Sequence, residues 1–144
     1  MTRAIGVDLG ARRIGIAVSD PGGVLATPVT VLARTPDRPR LHRQIADLVD
    51  EYEAEVVVVG LPLSLDGSDG PAAVAARLEA DEIAAAVRVP VALQDERLTT
   101  VTAHRLLAAA GVDERARRKV IDSAAAAVLL QTWLDGRSVS GPST

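Results

Sequence analysis

Val56-Val57-Val58-Val59 is a run of four β-branched residues with no polar face, closed by Gly60. A strand wetted on one side alternates apolar and polar residues, so an unbroken run belongs to a strand covered on both sides. This feature calls for a sheet with a layer above it and a layer below. The neighbouring periodicities supply such layers. Before the run, Leu41, Ile45, Leu48, Val49 and Tyr52 recur at helical spacing, with Arg43, Asp47, Asp50 and Glu51 elsewhere on the wheel. After it, Pro71 suits the first position of a helix on which Ala76, Ala80, Ile83 and Val87 share a face.

The chain opens with a different period. In the first strand, from Arg3 to Leu9, residues Ile5, Val7 and Leu9 alternate with Ala4, Gly6 and Asp8. A turn at Gly10-Ala11-Arg12-Arg13 leads to a second strand, where Ile14, Ile16 and Val18 alternate with Gly15, Ala17 and Ser19. Asp20-Pro21-Gly22-Gly23 turns again, into a third strand from Val24 to Leu32. Further on, Val89 to Leu93 forms a short strand whose Pro90 suggests a sheet edge. Thr99 or Thr100 can cap a helix carrying Ala103, Leu106, Leu107 and Ala110 inward, with Gly111 as its stop. A last helix starts between Asp113 and Lys119 and ends near Leu134. Ile121, Ala124, Ala125, Val128, Leu129 and Trp133 make it apolar over a wide face, and Ala126, Ala127 and Leu130 extend that face nearly all round, so it is buried. The expected fold is α/β: a five-stranded mixed sheet, three antiparallel strands plus two parallel, with helices on both faces. That order suits a ribonuclease H-like fold. Residues 1–135 form the domain, and 136–144, rich in Ser, Gly and Pro, a flexible tail.

Composition removes several function classes. The 144 residues include no cysteine, which excludes thiolate zinc sites and a cysteine nucleophile and fits a reducing cytoplasm. No apolar run approaches the ~20 residues that cross a bilayer, and no secretory leader precedes Asp8, so a cytoplasmic location without membrane contact is expected. The net charge of −3 argues against bulk attraction to nucleic acid, and one Tyr, one Trp and no Phe leave no platform for stacking bases. A polyanion would have to be held through local arginine clusters and metal ions.

Three acids stand out. Asp8 ends a strand on a face otherwise made of glycine and alanine; it either caps the following turn or faces a site. Glu96, in Asp95-Glu96-Arg97-Leu98-Thr99-Thr100, reads equally as capping chemistry or as a site residue. Asp122 sits early in the buried helix, where it meets either the helix dipole or a partner. The small residues Ala4, Gly6, Gly15 and Ala17 would let the last helix, with Ala124 and Ala125, approach the sheet closely and bring Asp122 towards Asp8. Like charges gathered this way call for a divalent cation, and an all-oxygen set suits Mg²⁺ or Mn²⁺. Arg12, Arg13, Arg97, Arg117, Arg118 and Lys119 could then contact phosphates around it, although such runs are usually solvated. Arg34, Arg38, Arg40 and Arg43 read as a solvated face, and His42 and His104 as surface residues.

These residues carry a family resemblance. Val7-Asp8-Leu9-Gly10 with Arg13-Ile14-Gly15, Val59-Gly60-Leu61-Pro62-Leu63 with Asp66-Gly67, Asp95 to Thr100, and Lys119 with Asp122 before Ala124-Ala125 resemble the YqgF (RuvX) family, in order, from Arg3 to Leu134. The resemblance implies a ribonuclease H-like fold related to Holliday-junction resolvases. It also implies a nuclease role in maturing the 5′ end of pre-16S ribosomal RNA, with the family's acidic triad falling on Asp8, Glu96 and Asp122. The expectation is a metal-dependent phosphodiester hydrolase acting on pre-rRNA rather than branched DNA. It would work with ribosomal particles, as a monomer or a weak homodimer. The alternatives are a Holliday-junction resolvase, a non-catalytic nucleic-acid or ribosome-assembly module, and, last, a nucleotide-binding enzyme built on the Asp8-x-Gly10 hairpin.

Overall fold

The computed structural model describes residues 3–97 and 114–139, with side chains described for 3–97 and 124–137. The expected helix between Thr99 and Ala110, and His104 within it, lie outside the described residues, as does 140–144. Five strands, β1 (Ala4–Leu9), β2 (Arg13–Ser19), β3 (Ala26–Ala33), β4 (Val56–Leu61) and β5 (Val91–Asp95), form one sheet in the order β3-β2-β1-β4-β5. β1, β2 and β3 are antiparallel neighbours, whereas β4 runs parallel to β1 and β5 parallel to β4. The helices are α1 (Arg38–Glu51), α2 (Pro71–Ala86) and α3 (Glu114–Val139).

The alternation in β1 and β2 separates two cores. Ile5, Val7, Ile14, Ile16 and Val18 pack with Val57 and Val59 beneath α1 and α2, through Leu41, Ile45, Val49, Ala80 and Ile83. Ala4, Ala17, Val56 and Val58 face the other way, against Ala126, Leu130 and Leu134 of α3. The valine run therefore feeds both cores, as a doubly covered strand must. Gly6 lies directly under α3: a Cβ there would stand 2.8 Å from Leu130 Cβ and 3.0 Å from the Ala126 carbonyl oxygen. The helix rides on the glycine backbone, as the row of small residues predicts.

Local chemistry moved several boundaries. Asp20 Oδ1 accepts the N–H groups of Val24 (2.7 Å) and Leu25 (2.8 Å), which holds both residues in the turn and starts β3 at Ala26. Pro28, lacking an N–H, sits on this edge strand where the β2–β3 register shifts. Asp37 accepts the Arg40 N–H at 3.1 Å and caps α1, with Pro39 in its first turn, so the helix begins before Leu41. β5 starts after Pro90, whose missing N–H delays the ladder, and so reaches Asp95 rather than Leu93. α3 continues past Leu134 to Val139, carrying Gly136 within it, with Arg137 over the Trp133 ring at 4.7 Å.

Two expectations on the α1–α2 side are corrected. His42 is 5% exposed, not a surface residue, because it follows Leu41 on the inward side of α1, in line with Ile45 and Val49. Its Nε2 lies 2.8 Å from Oε2 of Glu79, itself 5% exposed on the inner face of α2. Nor is Arg34 part of a solvated face: its guanidinium grips Glu79 with two bonds of 2.8 and 3.1 Å. A buried carboxylate needs such donors, and Arg38 adds its charge at 3.8 Å. Arg40 and Arg43 are exposed as expected.

Replacing Gly6 by alanine should destabilise the protein by about 1–3 kcal/mol in urea denaturation, because the clash is with helix backbone rather than a flexible side-chain tip. A neutral result would mean that α3 has room to retreat.

Candidate active site

Asp8 is the penultimate residue of β1, on its α3-facing side with Ala4 and Gly6. Glu96 directly follows β5, and its backbone N–H donates to the Leu61 carbonyl at 3.2 Å, which prolongs the β4–β5 pairing past Leu61↔Asp95. β4 lies between these two strands. The β1–β4 ladder ends on Val7↔Val59, so Asp8 and Gly60 come next along it. Having no side chain, Gly60 leaves the gap that the Glu96 carboxylate fills. A Cβ at Gly60 would collide with Glu96 Oε2 and stand 3.2 Å from Cδ2 of Leu129 on α3.

Across that gap the Glu96 carboxyl comes close enough to Asp8 for the two side chains to be coupled through charge and hydrogen bonding. Two carboxyl groups bond to each other only when one of them carries a proton. Burial, then the charge of Asp8 and the bond to it, then the charge of Asp95, push the Glu96 carboxyl from 4.5 up to about 7. The site thus holds two acids close together in partial burial. A hard dication is the ordinary remedy, and an all-oxygen donor set suits Mg²⁺ or Mn²⁺.

Asp122 belongs to α3. Leu134 packs with Ala4 and Val56 at the start of the parallel strands, while Ala126 and Leu130 cover Gly6, so α3 runs antiparallel to β1. Asp122 lies one turn before Ala126 in α3. Its side chain is outside the described residues, as are those of Arg117, Arg118 and Lys119. Among the described residues no group of three His, Asp or Glu could hold a metal ion.

Of the remaining predicted contacts, Arg12 is exposed in the β1–β2 turn and Arg13 begins β2. Arg97 is already engaged: it meets Asp95 Oδ2 through Nε at 2.8 Å and Nη2 at 2.7 Å, and donates from Nη1 to the Leu65 carbonyl at 3.3 Å. It thereby staples the loop after β4 to the end of β5. Gly67 supports that staple with φ of 88°, a conformation that favours glycine, and with a close approach to Nη1. The role of Gly60 was missed from the sequence, although a glycine closing a buried strand next to a candidate acid was the available signal.

A family model described as "RuvX: Holliday junction resolvase" matches residues 2–136, nearly the whole chain. The chain belongs to the RuvX family. A relative of this RuvX protein from Rhodococcus opacus (strain B4) is 52% identical over 143 residues, covering 96% of this chain and 80% of its own length; its name is "Putative pre-16S rRNA nuclease". A relative of the same name from Streptomyces avermitilis is 52% identical over 141 residues, covering 96% and 89%. Among solved structures, T. thermophilus RuvC in complex with Holliday junction substrate matches with a TM-score of 0.55 and 19% identity over 96% of each chain. That likeness carries the ribonuclease H-like fold, with the sheet order expected from the sequence. No helix among the described residues is long and apolar enough to cross a membrane.

Two measurements test the acid pair in this RuvX protein. Folded Glu96 keeps its proton to about pH 7, whereas an unfolded glutamate loses it near 4.5. Between these values the folded state binds more protons, so stability must fall as pH rises through the window and level off above it. In metal-free buffer, the Glu96→Gln protein should lack this fall when the two are compared by denaturant titration. Gly60→Ala should drive the carboxylate out of its gap and return its carbon-13 NMR titration towards the ordinary range. A midpoint still near 7 would contradict the packing described.

Proposed function

We propose that this protein is a metal-dependent nuclease that hydrolyses phosphodiester bonds, acting in 5′-end processing of pre-16S ribosomal RNA. The observation that carries the reading is the hydrogen-bonded Asp8–Glu96 pair at the carboxyl ends of β1 and β5, in a chain about half identical to relatives bearing that name. Asp8, Glu96 and Asp122 would hold Mg²⁺ or Mn²⁺. When bound, the ion would supply Lewis-acid polarisation of the phosphate and a water made more acidic.

The chain's own residues prepare that chemistry. Gly60 and Leu129 set the depth of the Glu96 carboxylate. Protonation of Glu96 near neutrality eases the repulsion between the two acids, and release of that proton readies both carboxylates to act as ligands. Arg12, Arg13, Arg117, Arg118 and Lys119 meet phosphates on either side of the scissile one, which requires no base readout. Arg97 serves the same strand with the smallest share, since Asp95 already neutralises it.

A second reading, resolution of branched DNA, is favoured by the description of the matching family as Holliday junction resolvase. Cleavage assays on a pre-16S leader RNA and on a four-way DNA junction, each with Mn²⁺ and with EDTA, separate the two. The RNA should be cut in Mn²⁺ alone. Asp8→Asn should fold with a melting temperature close to the wild-type value, yet lose cleavage by about 10²-fold or more. Full activity in that variant would reject the assignment. RNA binding that survives both EDTA and Asp8→Asn, with no cleavage by the wild type, would make the protein a binding module instead.

A further inference from the structure

The buried charge cluster between α1, α2 and the end of β3 reaches the turn beside Asp8. Arg34, one residue beyond β3, holds that turn twice. Its backbone N–H donates to the Arg12 carbonyl at 2.9 Å, and its side-chain Nε donates to the Gly10 carbonyl at 2.6 Å. The turn is tight, with the Gly10 N–H on the Asp8 carbonyl at 3.1 Å. A Cβ at Gly10 would lie 2.5 Å from the Arg13 carbonyl oxygen, so the turn folds back too closely there for any residue but glycine.

The grip is itself anchored. With Nε on Gly10, the two remaining nitrogens of the Arg34 guanidinium fork onto Glu79 of α2 at 2.8 and 3.1 Å. Glu79 takes a further bond of 2.8 Å from His42 of α1. Burial opposes ionisation of Glu79, yet the bonds from Arg34 and His42 and the charges of Arg34 and Arg38 outweigh it and hold the carboxyl below its ordinary value. An ionised carboxylate can only accept, so His42 Nε2 carries the hydrogen. Two helices thus fix one guanidinium in a single plane. A planar fork supplies this geometry and an ammonium does not.

We propose that Arg34, braced by Glu79 and His42, is a positioning residue that presents the exposed Arg12 to a nucleic-acid phosphate beside Asp8. The proposal rests on the nuclease reading only in taking the ligand to be nucleic acid. Arg34 acts through the turn: its own nitrogens are spent on Gly10 and Glu79. Arg43, exposed on the same helix as His42, is the natural control.

Binding of a fluorescein-labelled single-stranded RNA, measured in EDTA across a salt series, tests this without cleavage. Arg12→Gln should lower the slope of log Kd against log salt by roughly 0.7, the value for one phosphate contact to a single strand. Arg34→Gln should lower it equally, and the double variant no further, because both changes remove the same contact. Arg43→Gln should leave the slope unchanged. Additive losses from Arg12 and Arg34, or an equal loss from Arg43, would overturn the proposal by making Arg34 a direct contact or one of several diffuse charges. Amide exchange at residues 10–13 should rise in Arg34→Gln and not in Arg43→Gln; no rise overturns the clamp. If the wild type binds no nucleic acid, the nuclease reading and the presentation of Arg12 to a phosphate both fall, while exchange still decides whether Arg34 holds the turn. Should Arg34→Gln fail to fold because Glu79 is left unpaired, Arg34→Gln/Glu79→Gln, neutral on both sides, carries the same comparisons.

Discussion

Helix α3 can approach β1 only because Gly6 has no side chain, and the position of the acid pair follows from that contact. Leu130 and the Ala126 carbonyl occupy the volume that any Cβ at Gly6 would take. With α3 at this depth, Leu129 closes the space over Gly60, and the Glu96 carboxylate is confined to the gap next to Asp8. A larger residue at Gly6 would lift the helix, open the gap to water and let the two carboxyl groups separate. Close packing on one glycine thus brings two acids into a partly buried, closely coupled pair.

The two faces of the sheet deal with buried charge in opposite ways. On the α1–α2 side, Glu79 is surrounded by Arg34, His42 and Arg38, and its carboxyl stays ionised despite burial. On the α3 side, Glu96 faces Asp8 and Asp95 and is pushed up to about 7. A carboxylate ringed by donors suits a structural brace, whereas a carboxyl raised by burial and by neighbouring acids suits a functional site. The brace reaches the turn next to Asp8 through Gly10, so the two clusters meet at the end of β1.

Much of this was legible in the residues. Alternation in β1 and β2 assigned each side chain to its core because a pleated strand has a period of two whatever it packs against. The valine run announced a strand covered on both faces, and Pro90 an edge. Boundaries were less legible where side chains competed for backbone donors: Asp20 withdrew Val24 and Leu25 from β3, and Asp37 started α1 early. His42 and Arg34 were misread because each looks solvated on its own. Their burial depends on partners 37 and 45 residues away along the chain.

Local sequence determined which residues alternate, where glycines permit close approach and which acids stand at the ends of strands, because these follow from short-range stereochemistry. Tertiary structure alone decided that Glu96 fills the space Gly60 leaves, that burial and Asp8 raise its pKa, and that Arg34 reaches Gly10. Desolvation and charge proximity are properties of groups brought together across the sheet, and no local pattern encodes how closely they meet.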